Sequence, residues 1–197
     1  MKNKKRPKIV AASVTGALHC HRKLPCQDYF KHAVGKNLVA VVSDGAGSAK
    51  LGKIGAKIIC STICDLLKNA DFAKAPMLIR QAIKLAREKL VLHRLNPSKS
   101  EDGIADFAAT LVGVVYRENK GMFFHIGDGA AIAVRSGYDD FIASRPENGN
   151  FACETFFYTQ QAWLENLRLT FFENASRLFF CVDGVGNCSF TTDLKEM

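Results

Sequence analysis

Apolar residues recur along the chain with two different periods. From Gly52 to Asn69, Ile54, Ile58, Ile59, Ile63, Leu66 and Leu67 return every three or four residues with Lys53, Lys57 and Lys68 between them, which predicts an amphipathic helix. Pro76 suits the first turn of a second helix, predicted to run to about Leu95 with Leu78, Ile79, Ile83, Ala86, Leu90 and Val91 inward. Asn96-Pro97 is its stop. The other apolar runs are short, as strands are: Lys8 to Gly16, Asn37 to Val42, Phe107 to Tyr116, Met122 to Ile126, Ala130 to Arg135 and Arg177 to Val182. Arg117 to Gly121 reads as a turn, so the three strands between Phe107 and Arg135 are expected to form an antiparallel meander. Ser98 to Asp102 and Asp139 to Thr155 read as loops, and Gln160 to Leu167 as a short helix. Neighbouring helices followed by runs of strands indicate α+β rather than a parallel α/β sheet.

Composition narrows this picture without changing it. With 48% hydrophobic and 23% charged residues in 197, the chain has the make-up of one globular domain, not of a disordered or disulfide-scaffold protein. No apolar run approaches the ~18–20 residues that cross a bilayer, so no membrane partner is expected. Ser13, Thr15, His19 and His21 interrupt the sequence after the basic start, so no secretory leader is expected either. The seven cysteines are scattered and never spaced C-x-x-C, which fits reduced thiols in a cytoplasm. Five of the 27 basic residues precede residue 9, leaving 22 against 19 acidic residues in the remainder. The net +8 therefore belongs mainly to a basic arm, residues 1–8, ahead of a single domain, 9–197. With no ribonucleoprotein or zinc-finger motif, nucleic acid is not the expected partner.

Three Asp-Gly pairs, Asp44-Gly45, Asp128-Gly129 and Asp183-Gly184, each follow a short apolar strand. One such pair is a turn signal. Three, each at a strand end, point to carboxylates converging on a hard divalent cation, with glycine letting the backbone approach. Two other chemistries compete. Gly47 to Lys53 satisfies G-x-x-x-x-G-K, but Ile54 stands where a P-loop needs Ser or Thr, and the α+β pattern lacks a P-loop's parallel sheet. Cys26, near His19, His21 and Arg22, has the types of a thiol nucleophile and its base, but nothing marks the thiol as activated. His125, alone on an apolar strand, reads as a core histidine.

In order, Cys26-Gln27-Asp28, Val42 to Ala49, Asp106 to Leu111, His125 to Gly129 and Val182 to Val185 resemble the bacterial branch of the metal-dependent protein phosphatases, the protein phosphatase 2C type. Pro146 to Thr159 is similar to the loop this branch carries before its last motif. The resemblance implies a four-layer α-β-β-α sandwich, two antiparallel sheets flanked by helices, with a binuclear Mn²⁺ or Mg²⁺ centre between the sheets. It implies hydrolysis of phosphoserine and phosphothreonine in a phosphorylated protein by a monomeric enzyme, with water rather than a side chain as nucleophile.

Residue by residue, the resemblance makes Asp44 the carboxylate bridging both metals, the Gly45 carbonyl a backbone ligand and Asp183 a ligand from the opposite side. Asp28 would orient metal-bound water, and Asp128 would help hold a third, weaker metal. Arg22 and Lys23 are the nearby candidates for phosphate, and Ala46 stands where eukaryotic relatives carry a histidine. Thirteen residues follow Gly184, and Asp193 lacks the setting of the family's last metal-binding aspartate. The closing helix and strand are therefore expected to be missing. The alternative function is a truncated, non-catalytic relative that binds a phosphoprotein.

Overall fold

A computed structural model describes residues 7–21, 25–93, 101–137, 140–148 and 155–183. Two of its helices follow the apolar periodicity closely. Helix α2 (Gly52–Leu67) buries Gly52, Gly55, Ala56, Ile59, Cys60, Ile63, Cys64 and Leu67 along one stripe, and α3 (Ala75–His93) buries Ile79, Ala82, Ile83, Ala86 and Leu90. Asn37 closes α2 at its far end, its side-chain nitrogen donating to the carbonyls of Leu67 (2.6 Å) and Ala70 (3.1 Å), groups the helix itself leaves unpaired.

Among the described residues, eight strands form two sheets. The larger has the order β1-β2-β3-β4-β7 and comprises β1 (Tyr29–Val34), β2 (Leu38–Ser43), β3 (Leu111–Arg117), β4 (Lys120–Ile126) and β7 (Arg168–Glu173). The smaller has the order β6-β5-β8, from β6 (Phe141–Ser144), β5 (Ala130–Arg135) and β8 (Ala175–Cys181). Every strand pairing within them is antiparallel. The α+β class, with two antiparallel sheets and helices, is therefore the architecture observed.

Two apolar layers hold these elements together. One face of the large sheet, through Val39, Val41, Leu111, Met122 and Phe124, packs on α2 and α3. The opposite face, through Ala40, Val112, Val114, Phe123 and Phe172, packs on Ala131 and Ala133 of the small sheet. Phe123 and Phe172 meet there with ring centroids 4.5 Å apart, and each fully buried side chain of this size contributes roughly 1.5–3 kcal/mol. Of the four expected layers, the described residues form three: helices, large sheet and small sheet. The outer face of the small sheet leaves Phe141 and Phe179 exposed.

Several elements depart from the sequence pattern. Residues 7–16 form no strand; Val10 and Val14 are each 83% exposed, and β-branched composition without a neighbouring strand does not make one. A short helix, α1 (Ala17–His21), follows. The expected meander is only a hairpin, β3 with β4, because the chain turns at Gly127 (φ +109°) and carries β5 into the other sheet. Strand β6 lies inside the expected loop, and β1 and β7 are edge strands that the apolar runs do not reveal. The short helix is a 3₁₀ segment at Gln161–Leu164. Most of the basic arm, Arg22, Lys23, Val185 and Asp193 lie outside the described residues.

Candidate metal centre

The ladders that build the two sheets also deliver the carboxylates. Strands β1 and β2 pair with Tyr29 opposite Ser43, so one step further along the same register Asp28 stands opposite Asp44. Strands β5 and β8 pair with Ala130 opposite Cys181, and Asp128 and Asp183 each lie two residues beyond that last pair, near enough for Asp183 to act on Asp128 through its charge. Each sheet thus ends in a pair of aspartates. The pairs meet across the sheets: Asp44 hydrogen-bonds with both Asp28 and Asp183, and Asp183 acts electrostatically on Asp128. Of the four expected side chains, Asp28, Asp44 and Asp183 meet at Asp44, and Asp128 is linked to them through the charge of Asp183.

The loop carrying Asp44 is fastened on several sides. The Asp44 amide donates to Thr110 Oγ1 (3.0 Å), the Thr110 amide donates to the Asp44 carbonyl (2.9 Å), and the Ser43 hydroxyl donates to the Thr110 carbonyl (2.6 Å). Gly45 then presses on the start of α2. A Cβ at Gly45 would lie 2.4 Å from the Gly52 carbonyl carbon, and one at Gly52 would lie 2.9 Å from Gly45, so only glycine fits on either side. The Gly45 carbonyl, expected as a metal ligand, is met by Gln27: with its amide nitrogen toward the loop, Gln27 donates to the carbonyls of Gly45 (3.0 Å) and Ala46 (2.9 Å). A carbonyl oxygen has two lone pairs, so this bond leaves one free.

Crowded carboxylates hold on to protons. Burial, then the carboxylates of Asp28 and Asp183, push the Asp44 carboxyl up to about 9. Asp128 is raised by burial and by Asp183, against the hydroxyl of Thr155, which donates to Asp128 Oδ2 and favours its charged form. Among the described residues no three ligand-type side chains stand in a geometry that would hold a metal ion. Asp44 meets Asp28 and Asp183, whereas Asp128 is reached by Asp183 through charge alone. As donors they are hard anionic oxygens at an awkwardly high charge density, and such a set fits Mg²⁺ or Mn²⁺.

Thr110, Gln27 and Thr155 were given no role from the sequence, although all three stand inside the stretches quoted above. The competing chemistries fare less well. A P-loop needs a parallel sheet, and the pairings here are antiparallel. Cys26 has its sulfur 3.3 Å from Ser13 Oγ. His125 is fully buried with Nδ1 3.0 Å from Ser144 Oγ, and burial lowers its pKa well below 6.5, as for a neutral core histidine.

A family model described as protein phosphatase 2C matches residues 15–196. The chain belongs to the protein phosphatase 2C family. Serine/threonine-protein phosphatase 3 of Escherichia coli K12 is 26% identical over 164 residues; that match takes in 78% of this chain, which spans only 63% of the relative's length. Among solved structures, Staphylococcus aureus Stp1 superposes with a TM-score of 0.61 at 14% identity, over 87% of this chain and 74% of Stp1. The catalytic domain of the serine/threonine phosphatase PstP, solved with two manganese ions, superposes with a TM-score of 0.57 at 16% identity, over 83% of this chain and 73% of its own. These likenesses are of fold: the two sheets and helices described above are those of bacterial protein phosphatase 2C enzymes. In the described part no helix is long and apolar enough to cross a membrane.

Proposed function

We propose that this chain hydrolyses phosphoserine and phosphothreonine in proteins, using two divalent cations held between the two sheets. The observation that carries this reading is the meeting of two aspartate pairs, one from each sheet, at Asp44 and Asp183. Asp44, the free lone pair of the Gly45 carbonyl and Asp183 from the opposite sheet would hold the cations. Asp128, fixed by Thr155, would hold a weaker third ion. Bound Mn²⁺ or Mg²⁺ supplies Lewis acidity, making water nucleophilic near neutral pH and screening phosphate charge. Asp28, in contact with Asp44, orients that water and accepts its proton. Ala46 leaves no side chain there to protonate the departing serine or threonine oxygen, so that oxygen takes its proton from solvent, to which Asp28 returns the one it accepted.

Loading the site means removing the proton that Asp44 holds, so cation binding releases protons and strengthens as pH rises toward about 9. The free thiols of Cys60 and Cys64, one helical turn apart, support a reducing, cytoplasmic setting, and the enzyme acts there as a monomer on a phosphorylated protein.

Calorimetric titration of the metal-stripped chain with Mn²⁺, paired with hydrolysis of a phosphothreonine peptide, tests the whole reading. Two-site binding with proton release, together with Mn²⁺-dependent turnover lost in Asp44→Ala, is expected. Phosphopeptide binding without Mn²⁺ binding or turnover would instead establish the non-catalytic alternative.

A further inference from the structure

The side chain of Arg168, at the start of β7, is used by neither the core nor the carboxylate series, yet it sits behind one of the aspartates. Arg168 pairs with His125 across β4 and β7. Its Nη1 donates to the Arg145 carbonyl, just past β6, and its Nη2 donates to the Gly127 carbonyl at 3.1 Å. Its Nε lies 2.7 Å from Glu147 Oε2, an ion pair without hydrogen-bond alignment. The Glu147 amide also donates to the Gly127 carbonyl, at 3.1 Å, so that oxygen is claimed twice. Gly127 is the residue immediately before Asp128. It is wedged so closely that a Cβ there would come within 3.0 Å of both Thr110 and the Phe156 carbonyl.

One guanidinium therefore joins three pieces of chain: β7, the turn that aims Asp128, and the stretch from Arg145 to Glu147. Thr155, in an isolated bridge with Asn148, grips the Asp128 carboxylate from the far side. Planar, permanently charged and with several donors fixed in a fork, arginine can hold such carbonyls in one arrangement where lysine, a single point of charge, cannot. We propose that Arg168 is a positioning residue for Asp128. It fixes the Gly127–Asp128 turn so that Asp128 faces Asp183, and thereby sets the affinity of the weakest cation site. This rests on the reading of Asp128 as a ligand, and residues behind a ligand typically change metal affinity 10–100-fold when lost.

The test compares the full-length parent with Arg168→Met, Arg168→Lys, Asp128→Asn and the Arg168→Met/Asp128→Asn double variant. Mn²⁺ binding is measured by calorimetry, with melting temperature and the Mn²⁺ concentration giving half-maximal hydrolysis of p-nitrophenyl phosphate as companions. Arg168→Met is expected to weaken the weakest Mn²⁺ step at least about tenfold, and the double variant to lose no more than Asp128→Asn alone. Arg168→Lys should fall between parent and Arg168→Met; it carries the test alone should Arg168→Met not fold. Arg168 variants that melt earlier but bind Mn²⁺ with the parent's constants would reduce the residue to a structural tie and overturn the proposal. So would additive losses in the double variant. Asp128→Asn binding Mn²⁺ as the parent does would remove the ligand reading beneath it, a result distinguishable because it involves no change at Arg168.

Discussion

Asp44→Asn should make the metal-free protein more stable and remove the further stability that Mn²⁺ gives the parent. In the folded chain burial and two neighbouring carboxylates raise the Asp44 carboxyl from 3.8 to about 9, so it keeps a proton that the unfolded chain has already lost. Between those values the folded state binds more protons than the unfolded state, and stability falls as pH rises, levelling off above about 9. A pH of about 7.5 lies nearly four units above the ordinary value of 3.8, so at ~1.4 kcal/mol per unit holding that proton in the folded chain is a burden of at most ~5 kcal/mol. An asparagine there is neutral throughout and can donate to Asp28 and Asp183. With a urea m-value of ~2 kcal/mol/M, a gain of ~2–5 kcal/mol moves the unfolding midpoint upward by about 1–2.5 M. The assay is urea unfolding in a chelator at several pH values between about 5 and 9, repeated with excess Mn²⁺. In chelator the gap between variant and parent should widen as pH rises; with Mn²⁺ at ~100 times its dissociation constant the parent gains roughly 2.7 kcal/mol that the variant lacks. A chelated variant that unfolds at or below the parent's midpoint, or a gap that narrows with pH, would refute the reasoning.

Three smaller perturbations probe the surroundings of the carboxylates. Gly45→Ala drives a Cβ to 2.4 Å from the Gly52 backbone and should lower stability by ~1–3 kcal/mol while raising the Mn²⁺ needed for activity; an unchanged melting curve would contradict the close fit. Tyr158→Phe removes the buried donor to the Gly55 carbonyl (2.9 Å) and should cost ~1–3 kcal/mol in urea unfolding without altering the Mn²⁺ dependence. Thr155→Val takes away the hydroxyl that favours ionised Asp128, so the acid limb of activity at limiting Mn²⁺ should move to higher pH; a limb that stays in place would argue against Asp128 as a ligand.

What the sequence disclosed follows from which interactions are local. Helices α2 and α3 are legible because one face of each must be apolar at a spacing of three to four residues, whatever lies opposite. The central strands β2, β3 and β4 are legible because each is buried along most of its length. The edge strands are not: β1 alternates half-buried and exposed positions, and β7 mixes Arg168, Thr170 and Glu173 with its apolar residues. Nor could local pattern show that the chain changes sheets at Gly127, which depends on a backbone conformation and on the contact surface waiting for β5. Of the site, the aspartates announce themselves as Asp-Gly after a strand. Their pairing is a matter of register, and Gln27, Thr110, Thr155 and Arg168 act through partners 18 to 66 residues away or through backbone groups that no motif names.

If the carboxylates hold a cation as proposed, the two registers, Tyr29 opposite Ser43 and Ala130 opposite Cys181, would make it a proofreader of folding. Slipping either ladder by one residue turns every side chain on that strand to the other face and takes Asp28 from Asp44, or Asp128 from Asp183. A misaligned chain can be as compact and as rich in strand as the native one, yet it offers a divalent ion half a site. On the proposed reading, Mn²⁺ present while the chain refolds would stabilise only molecules whose strands have zipped in step, and the yield of correctly paired protein is expected to rise with the ion's concentration.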